Sequence, residues 1–220
     1  MIKFENTEVF NFEGAFRGMR NPLNSWDKAD SDFIPWDNSC VTLGENDLAL
    51  AQKLIKAGSD HRKFMRQILV SVDITSWATW WAEFDTYKVA TVRNSCSKMH
   101  KIHVKGFERS DFSLEGTTEV IFATSWAFGT YLNKHVDDVI RTLEDLRTLY
   151  NDTGCKMYWR ALLELLPHSY NMRATVTLNY ETLRNIYFAR RNHKLDEWSV
   201  GFMEWIDSLP YADELIKYGG

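Results

Sequence analysis

Arginines follow a predicted strand–helix junction in the carboxy-terminal third of the chain. A strand predicted at residues 172–178 leads through Asn179 into a helix that contains Leu183 and ends near Arg190 and Arg191. The start of a helix presents unpaired backbone N–H groups, and guanidinium groups form forked hydrogen bonds with phosphate and carboxylate. This combination predicts a binding site for an anionic ligand.

A second group of cationic residues follows a segment rich in tryptophan. Lys88, Arg93 and Lys98 fall within or beside a polar stretch that has turn or short-helix character. They could supply charge to the same ligand. The alternative is that they are ordinary solvated surface charges, as most lysines and arginines are. That alternative applies equally to three further arginines: Arg173, Arg190 and Arg191.

Cysteine and histidine residues near position 100 are the other candidates for chemistry. Cys96 would act as a nucleophile if neighbouring cations stabilised its thiolate, whereas free cysteines are more often buried and inert. Cys96, His100 and His103 are also ligand types that zinc accepts, but no fourth ligand is evident nearby, so we expect no metal site. The three cysteines, which include Cys40 and Cys155, lack paired spacing, which is typical of free thiols in a reducing cytosol.

The composition predicts one folded, cytoplasmic protein. Its 220 residues are 45% hydrophobic and 14% aromatic, which suffices for a large core and excludes a disordered chain. The formal net charge of −4 argues against general nucleic-acid binding. No apolar run approaches the length of a membrane span, and the first residues lack the pattern of a secretory signal.

The elements that must position these residues mix helices and strands without a strand–helix–strand rhythm. Residues 1–45, with Trp26 and Trp36 among prolines, glycines and asparagines, are predicted to be mostly irregular, although their start is also compatible with a strand. Apolar periodicity predicts a strand at 64–75, a helix from Asn46 or Asp47 to Gly58, further helices at 76–88, 130–150, 156–165 and 180–190, and a helical tail in two pieces around Pro210. This mixture favours an α+β fold.

The carboxy-terminal block resembles the last conserved block of the flavin-dependent thymidylate synthases. In that family a Leu-Pro pair is followed by an Asn a dozen residues on, then by a Leu four residues and an Arg eleven residues after the Asn. Here Pro167, Asn179, Leu183 and Arg190 have the same spacing.

A second block is similar to the segment that leads into the family signature, RHRxxSxNExSxR. The family has a helix ending in Leu-Ile-x-x-Gly and then a strand beginning with Phe, and this chain has Leu54, Ile55, Gly58 and Phe64 in that order. Placing Lys88 on the third signature residue puts Thr91 on the first Ser and Lys98 on the final Arg. The other register places Asn94 on the family Asn and Ser97 on the second Ser.

The resemblance implies an α+β fold, a single domain over residues 1–220 with a central, mostly antiparallel sheet flanked by helices. It implies an enzyme that methylates dUMP to dTMP with FAD and methylenetetrahydrofolate, with NADPH as a further co-substrate, or a related pyrimidine modification. The family also implies a homotetramer with active sites between subunits, and the tryptophan-rich helix 76–88 would then supply much of its interface.

The resemblance also assigns roles by position. The residues that would bind the pyrimidine nucleotide are Arg190, Arg191, Arg173, Lys98 and Arg93. The residues that would line the flavin are Lys88, Thr91 and Asn179. Ser97 would be catalytic, as would Glu83, which stands where the family often has a Gln ahead of its signature.

The signature departs from the family pattern where it would contact the flavin. Thr86 and Tyr87 stand in place of its first Arg and His, and Lys88 keeps the charge of the next Arg without its planar fork. The second hypothesis is therefore a non-catalytic homologue that keeps the fold and binds or sequesters a nucleotide.

Overall fold

The computed structural model describes residues 2–34 and 41–219. Trp36 and Cys40 lie outside the described residues. The fold class is confirmed: the chain is a mixture of helices and strands in which helices flank a four-stranded antiparallel sheet. Within the described residues, no helix is both long enough and apolar enough to cross a membrane.

The strands are Lys3–Phe10 (β1), Asp32–Phe33 (β2), Val41–Thr42 (β3), Leu69–Trp77 (β4), Val92–Ser95 (β5) and Asn171–Asn179 (β6). The α-helices are Phe12–Arg20 (α1), Glu45–Lys56 (α2), Ala78–Phe84 (α3), Lys98–Lys101 (α4), Glu115–Ala123 (α5), Trp126–Thr153 (α6), Lys156–Leu165 (α7), Tyr180–Arg190 (α8) and Met203–Asp207 (α9). Single 3-10 turns cover Asn21–Leu23, Trp26–Lys28, Lys63–Arg66 and Arg109–Asp111, and π-helical turns cover Glu197–Phe202 and Ala212–Ile216.

In the described part of the chain, the main sheet has the strand order β1-β4-β6-β5. Its central strands alternate as half-buried strands do: Val70, Val72 and Ile74 of β4 are fully buried, as is Val176 of β6. β2 and β3 form a separate antiparallel pair in which Phe33 lies opposite Val41.

The described residues fall into two compact units, and the predicted extent of a single domain stays a prediction. The first unit contains residues 75–83 and 95–173. Its core is a cluster of Ile102, Phe107, Phe112, Leu143 and Leu162. In the same unit, Gly129 of α6 approaches the Ile121 carbonyl of α5 so closely that a Cβ would lie 2.5 Å from it. Glycine therefore permits these two helices to pack tightly.

The second unit contains residues 2–74, 84–94 and 174 onward. Aromatic rings dominate its core: Phe12 contacts Phe16 and Tyr180, while Trp198 contacts Phe84 and Phe202. Each of these six rings is at most 3% exposed. Large rings contribute much of the hydrophobic stabilisation in a core of this kind.

The amino-terminal segment is more regular than its composition predicts. The strand that was compatible with the start of the chain is present as β1, but the expectation of an irregular region is wrong for residues 12–20, which form α1. Asn11, between the two elements, lies in the left-handed backbone region at φ 66°. Asn tolerates that conformation better than most residues, which permits the sharp strand-to-helix turn.

A distant side chain sets the start of α2. The predicted N-cap was Asn46 or Asp47, but the helix begins after Gly44, and the Asp30 carboxylate accepts hydrogen bonds from both Asn46 N and Asp47 N at 2.8 and 2.9 Å. The hydrogen bond from Asn46 N is the largest of the effects that hold the pKa of the Asp30 carboxyl below its ordinary value. The predicted stop is confirmed, since Gly58 follows the helix at φ +105°.

The tryptophan-rich helix is shorter than predicted. β4 continues through Trp77, and α3 ends at Phe84, after which Asp85 and Thr86 favour a turn. Trp80, Trp81 and Phe84 are at most 1% exposed, so they form core, as their spacing predicts. The helices predicted at 156–165, 130–150 and 180–190 are confirmed, with α6 longer than expected. The tail is helical in two pieces on either side of Pro210, as predicted.

Candidate functional site

A pocket of about 520 Å³ lies within the second unit. Three segments form its walls: residues 59–66 before β4, the loop 86–90 after α3, and the first turns of α8. The lining residues are Ser59, Arg62, Arg66, Thr86, Tyr87, Lys88, Val89, Ala90, Asn179, Glu181, Thr182 and Asn185. The pocket therefore brings together Lys88 and Asn179, two of the three residues for which the family resemblance implies a flavin contact.

Two arginines on one wall share a single carboxylate. Nε of Arg62 donates to Oε1 of Glu181 at 3.1 Å, and Nε of Arg66 donates to Oε2 of the same side chain. The Glu181 side chain is 9% exposed, whereas the Arg66 side chain is 48% exposed. A buried carboxylate thus holds two guanidinium groups side by side at the edge of the pocket.

The charged groups of this wall shift each other's pKa values. Glu181, through its hydrogen bond and then its charge, raises the pKa of the Arg66 guanidinium, and Asp60 adds a smaller contribution. Behind the wall, burial lowers the pKa of the Arg184 guanidinium, and the positive charge of Arg62 lowers it further. Arg62 and Arg184 therefore repel each other.

The first turn of α8 is anchored by its N-cap. Oδ1 of the buried Asn179 accepts a hydrogen bond from Thr182 N at 2.9 Å, as expected for a helix N-cap. Oγ1 of Thr182 in turn donates to the Val89 carbonyl at 3.3 Å, which connects this turn to the loop on the opposite wall. The Asn179 side chain therefore combines a structural role with a position on the pocket.

An ion pair joins the two ends of the loop 85–93. Nη1 of Arg93 donates to both carboxylate oxygens of Asp85 at 2.7 and 2.8 Å. Ala90 adopts the left-handed backbone region at φ 56°, which is unfavourable for a residue with a Cβ. Oγ1 of Thr91 is buried and has no hydrogen-bond partner among the described residues.

Arg190, the residue at the end of the carboxy-terminal motif, makes intramolecular contacts. Its Nε donates to the Tyr87 hydroxyl at 2.8 Å, and its guanidinium lies over the Tyr87 and Trp198 rings at 5.6 and 5.2 Å from their centroids. Arg191 is exposed, with its guanidinium 4.9 Å from the Phe188 ring centroid. Arg190 thus contacts the loop that carries Lys88, whereas Arg191 contacts a ring of its own helix.

The other predicted site residues belong to the first unit. Ser97 is exposed and caps α4 by accepting a hydrogen bond from His100 N at 3.3 Å, and Lys98 is the first residue of that helix. Glu83 is half-buried on α3, and Arg173 is exposed on β6, where its carbonyl accepts a hydrogen bond from Cys96 N.

The candidate metal ligands do not form a cluster. Among the described residues, no group of three or more His, Cys, Asp or Glu side chains is arranged to hold a metal ion. Cys96 and Cys155 are exposed free thiols. In the described part of the chain, Nδ1 of His103 is buried without a hydrogen-bond partner, and its ring lies 4.9 Å from that of Tyr150.

Sequence reasoning did not identify the two arginines and the glutamate of the pocket wall. Arg62 and Arg66 are four residues apart just after Gly58, and Glu181 lies two residues after the motif Asn179. The available signals were two cationic residues four positions apart at the start of a predicted strand and one acidic residue in the first turn of a predicted helix.

Comparison with known proteins supports the fold and not a sequence family. No protein-family model and no curated protein matches the sequence. Two solved structures from Helicobacter pylori do match in structure. One is described as thymidylate synthase X (ThyX) with FAD and dUMP, with a TM-score of 0.64, 15% identity, and coverage of 99% of this chain and 96% of that chain. The other is described as flavin-dependent thymidylate synthase ThyX complexed with FAD and dUMP, with a TM-score of 0.65, 16% identity, and coverage of 99% and 97%.

The chain therefore has the ThyX fold along nearly its whole length. The resemblance inferred from the Leu-Pro–Asn–Leu–Arg spacing and from the segment before the signature is confirmed at the level of the fold.

Proposed function

We propose that this chain is a flavin-binding protein that acts on a pyrimidine nucleotide, in the manner of a flavin-dependent thymidylate synthase. The observation that carries this proposal is the pocket lined by both Lys88 and Asn179. Both residues correspond by position to flavin contacts of the family, and the chain shares its fold with proteins described as bound to FAD and dUMP.

The pocket has the volume of a small-molecule site and an excess of positive charge. Its volume of about 520 Å³ is within the range of roughly 300–1,000 Å³ that small-molecule sites occupy. Three cationic side chains and one carboxylate line it, which leaves a positive excess for phosphate. Asn179 and Asn185 add amide groups that can orient a ring system.

The proposed roles follow the sequence positions. FAD would supply hydride transfer, with methylenetetrahydrofolate as the carbon donor and NADPH as the reductant. Lys88, Thr91 and Asn179 would hold the cofactor. The residues proposed to bind the pyrimidine nucleotide are Arg190, Arg191, Arg173, Lys98 and Arg93. Ser97 and Glu83 would orient the reacting groups, and stabilisation would be mainly electrostatic.

A homotetramer in the cytoplasm is part of the same proposal. In the family, site residues from neighbouring subunits meet, which couples site formation to closed symmetric assembly. The proposal includes no membrane attachment and no general nucleic-acid binding.

The second candidate function is nucleotide binding without catalysis. The hydrogen bond between Arg190 and Tyr87 favours this function. Tyr87 stands where the family signature has its histidine, and in this chain its hydroxyl accepts a hydrogen bond from the arginine of the carboxy-terminal motif. The Ser97 hydroxyl likewise serves as a helix N-cap. In this alternative, the fold and the cationic pocket bind a nucleotide that is not transformed.

Two measurements on the full chain distinguish these functions. The first is the fluorescence of flavin released when freshly purified protein is denatured. We expect a lower flavin content than an intact Arg-His-Arg signature would give, because Thr86 and Tyr87 lack the corresponding donors. The second is an anaerobic assay of dTMP formation from dUMP, methylenetetrahydrofolate and NADPH with added FAD.

Each outcome of these measurements supports one of the two functions or contradicts both. Formation of dTMP supports the enzyme. Binding of FAD or dUMP by calorimetry without any dTMP supports the non-catalytic alternative. Absence of binding to both ligands by folded protein contradicts both functions.

A further inference from the structure

We propose that Arg62 and Arg66 form a diphosphate-binding end of the pocket and supply the cationic groups that the 86–88 segment lacks. This inference rests on the proposed function in taking the ligand to be a nucleotide. It adds the chemical group that is recognised and the residues that recognise it, none of which belong to the signature block.

The hydrogen bonds of the two arginines leave donors directed away from Glu181. Both side chains use Nε to reach that carboxylate. Among the described residues, the terminal nitrogens of Arg62 have no hydrogen-bond partner, while Nη2 of Arg66 donates to the Ser59 carbonyl at 3.2 Å. A guanidinium carries five N–H donors, so most of the donors of this pair remain available to a ligand.

Glu181 acts as a positioning residue for this pair. Because its side chain is only 9% exposed and accepts from both arginines, it restricts two otherwise flexible side chains to neighbouring positions. Preorganised guanidinium forks lose less conformational entropy when they bind phosphate. Two adjacent forks match two adjacent phosphate groups better than a single one.

The charges that line the pocket favour an anionic ligand. Arg62, Arg66 and Lys88 line the pocket with Glu181 as the one acidic side chain in that lining. Burial lowers the pKa of the Arg184 guanidinium, and the positive charge of Arg62 lowers it further, so Arg62 and Arg184 repel each other. A bound diphosphate would relieve this repulsion, since like charges in a partly buried site are unfavourable.

Cationic side chains can reach this pocket either from the loop 86–88 or from the segment that carries Arg62 and Arg66. Thr86, Tyr87 and Lys88 line the pocket together with Arg62 and Arg66. A phosphate in this space is therefore within reach of either segment. The family's Arg-His-Arg run would supply charge from the loop, whereas this chain supplies two arginines from the opposite wall.

The test measures binding of four probes to the full chain by isothermal titration calorimetry. ADP and FAD carry a diphosphate, and adenosine and riboflavin are their counterparts without phosphate. The variants are Arg62→Gln and Arg66→Gln, with Arg62→Lys and Arg66→Lys to keep the charge beside Glu181 and protect folding. Arg141→Gln is the matched control, because Arg141 is a 67% exposed arginine of α6 outside the pocket.

The expected result is a loss of ADP and FAD affinity of about 10- to 100-fold in each Gln variant, with a smaller loss in the Lys variants, since each removes charge-assisted hydrogen bonds. Affinity for adenosine and riboflavin should not change, and Arg141→Gln should match the parent protein. Melting curves establish that each variant is folded.

Failure of this inference is distinguishable from failure of the proposed function. If the parent protein binds FAD and the folded Gln and Lys variants bind it equally well, the diphosphate assignment is overturned while the flavin function stands. If ADP binding depends on the arginines but neither FAD nor dUMP binds, the inference stands and the flavin function is overturned. If the parent binds neither ADP nor FAD, both are overturned.

Discussion

Nε of Arg190 donates a hydrogen bond to the hydroxyl of Tyr87 at 2.8 Å, across 103 residues of sequence. This contact joins the end of the carboxy-terminal motif to the altered part of the signature block. A nucleotide phosphate bound by Arg190 would compete with Tyr87 for the same guanidinium, because the hydrogen bond and the contact with the Tyr87 ring fix its orientation.

We predict that Tyr87→Phe tightens the binding of dUMP by up to about tenfold, because it removes a competing hydrogen bond worth about 0.5–1.5 kcal/mol. Arg190→Ala should weaken the same binding by about one to two decades. Calorimetric titration measures both. Arg191→Ala is the comparison: if it weakens binding and Arg190→Ala does not, the phosphate contact belongs to Arg191.

Asn179 offers a way to separate helix capping from cofactor binding. Asn179→Asp keeps the acceptor for Thr182 N, so stability should change little, but it removes the amide donor and adds a negative charge to the pocket. Asn179→Ala should lower the free energy of unfolding by about 1 kcal/mol. Urea denaturation and FAD titration together test this. Equal FAD affinity in Asn179→Asp and in the parent would remove Asn179 from the cofactor site.

The buried pair of Arg20 and Asp47 should be a large contributor to folding. Nε of Arg20 donates to Asp47 at 2.6 Å, both side chains are at most 3% exposed, and Nη2 of Arg20 also donates to the Lys28 carbonyl. Arg20→Ala should lower the free energy of unfolding by about 3–5 kcal/mol, because it leaves a buried carboxylate without its partner. Urea denaturation measures the loss. Arg17→Ala on the same helix, with a 68% exposed side chain, should cost less than about 1 kcal/mol.

Glu144 should make stability depend on acid pH. Hydrogen bonds from Arg147 and from Phe107 N lower the pKa of the Glu144 carboxyl below its ordinary value of 4.5, with burial opposing them. Since the folded pKa is lowered, the contribution is present above about pH 4.5 and is lost as the pH falls through the folded pKa. The stability difference between the parent and Glu144→Gln should therefore shrink between neutral and strongly acid pH. Urea denaturation of both proteins across this pH range measures the difference.

Assembly is predicted to be oligomeric, but three rings of the tryptophan-rich helix are not available for the interface. Trp80, Trp81 and Phe84 are already buried within one chain, so they have no surface to offer a partner. Exposed aromatic side chains occur instead on α5 and α6, where Phe122 is 83% and Trp126 is 85% exposed. Large exposed apolar groups that cluster often mark protein interfaces.

We predict that light scattering gives a mass above that of one chain, and that Phe122→Ser with Trp126→Ser shifts it towards the monomer. A monomeric parent protein would contradict the predicted tetramer. An unchanged oligomer in the double variant would place the interface elsewhere.

Local patterns predicted most of the elements. The alternation of Val70, Val72 and Ile74 with polar residues sufficed to predict β4, and the apolar periodicity of α6 sufficed for that helix. The predicted start of β4 was wrong, because residues 64–66 form a 3-10 turn, and the stretch predicted as turn or short helix contains β5. The start of α2 could not be predicted, because its capping carboxylate, Asp30, lies outside the helix and reaches it through tertiary structure. Helix α1 was missed because Asn and Gly residues are typical of loops when read locally.

The same contrast between local patterns and distant contacts explains why only part of the candidate site was predicted. Asn179 could be identified because the motif that contains it is a short run of regularly spaced residues, and the structure shows that it also caps α8. The wall of Arg62, Arg66 and Glu181 depends on contacts across 119 and 115 residues. A single sequence contains no signal for which distant arginine pairs with which acid.

The strand order places β1 and β5 at the edges of the main sheet. An edge strand exposes unpaired backbone groups that can recruit a strand from another molecule and seed a fibril. β1 carries Lys3, Glu5 and Glu8 on largely exposed positions, and β5 has four residues, one of them Arg93. Charge on one edge and shortness on the other disfavour strand addition. At high concentration, the sheet of the folded protein should therefore resist aggregation, whatever ligand it binds.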